Sequence, residues 1–184
     1  MHPPKCGLCI WITGLSGAGK STIAVPLAQA IEEKYGLLTH IFDGDEVREN
    51  LSQGLSFSRE DRDINVRRIG YVANLVVKFG GVAIVAAISP YDAIRQEIKK
   101  KIGNFIEIYL DVPVEVCEQR DVKGLYAKAR RGEIANFTGV SDPYEPPKNP
   151  EVSIQTHQET IKDSLAKILI YIDKNSLINR LANL

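Results

Sequence analysis

The segment with the most specific chemistry is Gly14-Leu15-Ser16-Gly17-Ala18-Gly19-Lys20-Ser21. It matches G-x-x-x-x-G-K-[ST], with an apolar strand-like run before it and a helical pattern after it. Glycines at this spacing let successive backbone N–H groups turn inward onto phosphate oxygens. The helix that follows adds its unpaired N–H donors and its dipole. Lys20 is placed to reach the β- and γ-phosphates, Ser21 to ligate Mg²⁺, and Thr22 to touch the α-phosphate. The motif implies a nucleoside triphosphate and magnesium. It does not name the group that accepts a phosphoryl. Guanine-specific switch proteins add D-x-x-G after a strand and N-K-x-D later. Asp121-Val122-Lys123-Gly124 spells the first but follows a helical pattern, and the second is absent, so the match reads as chance.

Three further segments carry polar chemistry. Asp43-Gly44-Asp45-Glu46-Val47-Arg48 places two carboxylates at a strand end. They suit a metal and its water shell, or the orientation of an attacking hydroxyl; equally, an Asp-Gly turn and helix cap would use them. Arg48 offers a fork to an anion. In Phe57–Arg68, Arg62 and Asn65 share a helical face. That face reads either as an anion and base reader or as a solvated charged helix. Ser89-Pro90-Tyr91 ends a third apolar run, with Arg95 one turn on; its plain reading is a cap by Ser89 with Pro90 at the first helical position.

Apolar β-rich runs alternate with longer helical patterns along the chain. Strands are expected at 8–13, 37–42, 82–89 and 105–112, and helices at 21–34, 59–79, 93–102, 113–121 and 158–173. Alternation of this kind specifies an α/β fold: a parallel sheet with helices on both faces and ligands at the carboxyl ends of the strands. Residues 122–149 hold three glycines and three of the prolines, and read as a mobile lid rather than a core element. One domain over 1–184 is expected, with the phosphate loop at 14–22, the lid at about 122–149, and a C-terminal helix and tail at 157–184.

The 184 residues are 44% hydrophobic and 25% charged, which excludes a disordered chain. Lys+Arg and Asp+Glu balance at 23 each, which argues against a general nucleic-acid or acidic-membrane binder. No apolar run approaches the roughly 18–20 residues of a membrane span, and no signal-peptide pattern opens the chain. Three cysteines do not make a disulfide framework. Cys6 and Cys9 read as small apolar residues at a strand start rather than as a redox or zinc pair. A cytoplasmic location is the expectation.

Taken together, GLSGAGKST, DGDEVR, FSREDRDINVRRIG, AISPYDAIR, CEQRDVKGLYAKAR and FTGVSDPYEPP closely resemble adenylyl-sulfate kinase (APS kinase), a P-loop kinase family, in order and over roughly residues 8–150. The resemblance implies transfer of the γ-phosphoryl of ATP to the ribose 3′-hydroxyl of adenosine 5′-phosphosulfate. The products are 3′-phosphoadenosine 5′-phosphosulfate and ADP, in sulfate assimilation.

By that resemblance, Gly14–Thr22 cradle ATP and Mg²⁺, with Ser21 and Asp43 at the metal. Asp43 and Asp45 sit near the metal and the attacking hydroxyl. Arg48, Arg62 and Asn65 hold the phosphosulfate end of the acceptor, and Phe57 packs beside its adenine. Ile88, Ser89, Arg95 and Leu125 belong to the same pocket. Arg120 stacks on the ATP adenine, Lys123 reaches the transferring phosphates or the acceptor, and Phe137 sandwiches the acceptor adenine opposite Phe57. The Ser89 position is sometimes given a phosphoserine-intermediate role. Direct in-line transfer needs only positioning and charge stabilisation, and no histidine lies near Ser89 in sequence, so Ser89 is read as positioning the acceptor. Asn136 stands where many relatives have Gly. A homodimer and functional coupling to ATP sulfurylase are further implications. The competing readings are another small-molecule P-loop kinase and a nucleotide-binding regulatory subunit without turnover.

Overall fold

The structure is a computed structural model that describes residues 7–178. β1 (Leu8–Thr13), β2 (Thr39–Asp43), β3 (Val82–Ala86), β4 (Phe105–Leu110) and β5 (Val152–Ile154) form one parallel sheet in the order β2-β3-β1-β4-β5. β1 pairs on both sides, Ile10 lying opposite Ile84 of β3 and Ile106 of β4. A strand covered on both faces is nearly continuously apolar; every β1 residue is buried, and only the last, Thr13, is polar.

Alternation along β1 builds two cores. Leu8, Ile10 and Ile12 pack against α1 (Lys20–Tyr35) and α7 (Ile161–Lys174). Cys9 and Trp11 face the opposite layer, with Val66, Ile69 and Ala73 of α3 (Arg59–Lys78) and Ile94 and Ile98 of α4 (Asp92–Ile102). The remaining helices are short: α2 (Gly44–Asn50), α5 (Val114–Arg120) and α6 (Leu125–Arg130). α1 ends at Gly36, whose φ of 68° lets its N–H return to Glu32 O at 3.0 Å. α7 begins in a capping box between Thr160 and Asp163.

Several expectations change. The second strand covers Thr39–Asp43, two residues later than expected at its start. The third ends at Ala86, because Ala87–Tyr91 leave the sheet as a turn. Pro113 caps α5 from outside rather than opening it, and Tyr91, not Ser89, is the N-cap of α4. The C-terminal helix starts at Ile161, after its capping box. Residues 122–149 are not a coreless loop: they contain α6, and Tyr126, Ala129, Phe137 and Thr138 are buried. Cys6 and residues 179–184 lie outside the described residues. Cys9 is a free, buried thiol in the strand.

Candidate active site

β1, β2 and β3 deliver their carboxyl ends to a cavity of about 920 Å³, at the upper end for ligand sites. One side is the turn after β1. Gly17 has φ 74°, and a side chain there would meet the carbonyl of Cys117 at 3.0 Å; both facts favour glycine. Leu15 and Ala18 turn their side chains into the core and give the loop only backbone. Ser16, Gly17, Gly19, Lys20, Ser21 and Thr22 line the cavity. Lys20 Nζ donates to Gly14 O at 3.1 Å and Leu15 O at 2.8 Å. Burial pushes its ammonium down to about 8, and Asp43 and Asp45 offset part of that loss.

Asp43, at the end of β2, accepts a hydrogen bond from Ser21 Oγ at 2.6 Å through Oδ2. Its other oxygen accepts from Asp45 N at 3.0 Å and caps α2. The helix-cap reading of the Asp-Gly-Asp segment is therefore seen directly, and Asp43 Oδ2 is turned toward Ser21 at the same time. Asp45 forms an ion pair with Lys123 across the cavity, and that bond raises the Lys123 ammonium above its ordinary value.

On the cavity wall opposite the phosphate turn, Arg62 and Asn65 of α3 are buried rather than solvated. Arg62 Nε donates to Phe57 O at 2.9 Å, and the two terminal nitrogens hold Asn136 O and Thr138 Oγ1. Asn136 has φ 55°, uncommon for a residue other than glycine. Asn65 Oδ1 is buried with no hydrogen-bond partner among the described residues, a vacant acceptor facing the cavity. Arg48 stacks on Phe57, guanidinium to ring centroid 4.5 Å, and burial and then Arg62 lower its basicity. Ile88, Ser89, Leu125 and Phe137 also line the cavity. Phe137 packs edge-on against Tyr126 at 4.9 Å.

Arg95 is the exception. It is fully buried outside the cavity, and its Nε donates to Glu107 Oε1 at 2.7 Å. Arg120 lines the cavity but is anchored to Gly17 O at 3.2 Å and to the hydroxyl and carbonyl of Thr156, each at 3.0 Å. Asp121 caps α6 through the amides of Tyr126 and Ala127, so the D-x-x-G match is structural. Sequence reasoning missed Thr156, which donates to Ala18 O at 2.8 Å, and Tyr126, whose hydroxyl donates to Ser16 O at 3.0 Å. Thr156 lies outside the motif segments, and Tyr126, although inside CEQRDVKGLYAKAR, reads there as an ordinary helical residue.

A parallel sheet ending in a lysine-bearing phosphate turn, with a carboxylate pair opposite a cationic face, defines an ATP-using phosphotransferase of the P-loop kinase class. The family model for adenylylsulphate kinase matches residues 6–155. An adenylyl-sulfate kinase of Microcystis aeruginosa is 56% identical over 163 residues, covering 88% of this chain and 89% of the relative. That of Gloeothece citriformis is 56% identical over 169 residues, covering 91% and 95%. The Mycobacterium tuberculosis APS kinase, solved in complex with AMPPNP and APS, superposes with a TM-score of 0.86 at 39% identity, covering 93% of this chain and 99% of that one. The chain belongs to the adenylyl-sulfate kinase family.

Proposed function

We propose that the chain transfers the γ-phosphoryl of ATP to the 3′-hydroxyl of adenosine 5′-phosphosulfate, both held in the 920 Å³ cavity. The observation that carries this reading is the junction, in one cavity, of Lys20 and Ser21 with Asp45, Arg62 and Asn65. In the transfer, the 3′-oxygen forms a bond to the γ-phosphorus while the bond from that phosphorus to the β–γ bridging oxygen breaks. Asp43 or Asp45 orients the hydroxyl and takes its proton. Lys20 and the loop amides draw off charge as it builds on the transferring oxygens.

Ser21 Oγ and Asp43 Oδ2, 2.6 Å apart, are hard oxygen donors that fit Mg²⁺. No group of three or more His, Cys, Asp or Glu side chains converges among the described residues, here included. The donor set therefore suits an ion that arrives with phosphate oxygens and water. When bound, Mg²⁺ supplies charge neutralisation on the β- and γ-phosphates.

Arg48, Arg62 and Asn65 receive the acceptor, with Phe57 and Phe137 at its adenine. Residues 122–149 act as the lid: Lys123 and the Arg62 clasp on Asn136 and Thr138 close it over the reactants and exclude water. Binding of the acceptor exchanges the Lys123–Asp45 pair for contacts to substrate. Transfer of labelled phosphate from ATP to adenylyl sulfate tests the reading; a pure sample that fails to label it while phosphorylating another alcohol would refute it. A homodimer and coupling to ATP sulfurylase are what the resemblance implies, and a cytoplasmic location is what the sequence composition suggests; sedimentation and co-purification test the first two. Among the described residues no helix is long and apolar enough to cross a membrane.

A further inference from the structure

We propose that Trp11 and Arg95 are positioning residues for the acceptor: they fix Ser89 so that its hydroxyl proton is presented to the cavity as a hydrogen-bond donor. This deepens the reading above and rests on it.

Ser89 lines the cavity with φ 46°, a conformation that persists in a non-glycine residue only when its surroundings impose it. The surroundings do so at each residue of the turn. Thr13 Oγ1 donates to Ile88 O at 2.6 Å, Arg95 donates to Ser89 O at 2.7 Å, and Glu145 N donates to Pro90 O at 2.8 Å. The Ser89 hydroxyl accepts from Trp11 Nε1 at 3.1 Å in a fully buried contact.

The direction of that last bond is not free. An indole N–H is a donor only, whereas a hydroxyl has one proton and two lone pairs. Ser89 Oγ therefore spends a lone pair on Trp11 and keeps its proton for an acceptor atom of the bound nucleotide. An oxygen already receiving an N–H is also a poorer nucleophile, which agrees with direct transfer rather than a phosphoserine.

Arg95 holds the backbone half of the turn. Besides Ser89 O it reaches Glu107 Oε1 on β4 at 2.7 Å, Asp92 Oδ1 at 3.1 Å and Glu145 O at 2.7 Å. Trp11 and Thr13 lie on β1, the strand that runs into the phosphate turn. One strand thus anchors both the phosphate turn and, through Trp11 and Thr13, the turn that carries Ser89.

Trp11 is the sole tryptophan of the chain, so feeding benzothienylalanine to a tryptophan auxotroph replaces it alone, with an isostere lacking the N–H. That protein and Trp11→Phe are each expected to raise KM for adenylyl sulfate about 5- to 10-fold, the worth of one hydrogen bond, with KM for ATP unchanged. On a Ser89→Ala background neither change is expected to add a further loss, because the bond acts through Ser89. Arg95→Lys keeps a charge against Glu107 but loses the fork, and should raise the same constant without moving KM for ATP. Wild-type KM in the isostere, or an equal loss with and without Ser89, would overturn the proposal for Trp11. A parallel rise in both KM values for Arg95→Lys would overturn its part. A wild-type protein that labels no adenylyl sulfate defeats the proposed function itself; an active wild type with an additive cycle defeats only this inference.

Discussion

Ser21 Oγ donates to Asp43 Oδ2 at 2.6 Å, joining the first turn of α1 to the end of β2. The residue that closes the phosphate turn is thereby oriented by the residue that opens the acceptor segment. Asp43→Asn keeps the shape and removes the charge. Activity is expected to fall at least about 10²-fold, and the Mg²⁺ concentration for half-maximal rate to rise. Chelation of divalent ions should abolish turnover in the wild type, with recovery on adding Mg²⁺. An unchanged metal requirement in Asp43→Asn would remove Asp43 from that role.

Lys20, lowered to about 8 by burial, gives nucleotide binding a pH signature. Below pH 8 the empty site already holds the ammonium. Above it the lysine is increasingly neutral, and a triphosphate, which favours the charged form, draws a proton in on binding. ATP affinity should be flat from pH 6 to 7 and decline above 8. Calorimetry in buffers of different ionisation enthalpy should show proton uptake near pH 8.5 and little at pH 7. In Lys20→Arg, charged throughout, the uptake should vanish.

The Lys123–Asp45 pair is exposed on both sides, 61% and 67% for the two side chains. Exposed pairs contribute under about 1 kcal/mol. Lys123→Ala should therefore leave urea denaturation within that margin while lowering kcat about 10-fold or more. A large stability loss with kcat retained would make the pair a strut rather than part of the chemistry.

Arg62 touches Phe57 and the 136–138 segment through separate nitrogens. Arg62→Ala should raise KM for adenylyl sulfate by about 10-fold or more, since hydrogen bonds to a charged group exceed neutral ones. KM for ATP should change little. Amide exchange at 136–138 should speed up in the same variant. Unchanged acceptor kinetics would leave Arg62 a purely structural clasp.

The phosphate turn was readable because its geometry favours few residue types: at 17 a side chain would be both strained at φ 74° and tight against the Cys117 carbonyl. β1 and β3 were readable because central strands are almost unbroken apolar runs. β5 was not, since three residues with an exposed Ser153 carry no period. α2 and α6 are too short for helical periodicity to declare itself. Ser89 followed by Pro90 has the local signature of a helix cap, but tertiary ties to Thr13, Arg95 and Glu145 prevail over it. Arg95 was assigned to the pocket on family likeness. The available warning was Glu107, a carboxylate inside the otherwise apolar Phe105–Leu110, which must be buried with a partner.

With β1 flanked by neighbours on both sides, the phosphate turn hangs from the middle of the sheet, whereas the cavity wall facing it is assembled largely from α2, the start of α3 and the 122–149 segment beyond the strands. The two differ in how freely they can be rewritten. A protein engineer seeking to retarget the enzyme to another alcohol would regraft residues 44–65 and 122–149 and retain Trp11 and the turn after it, because the inner strand is the ruler against which any new acceptor must be measured.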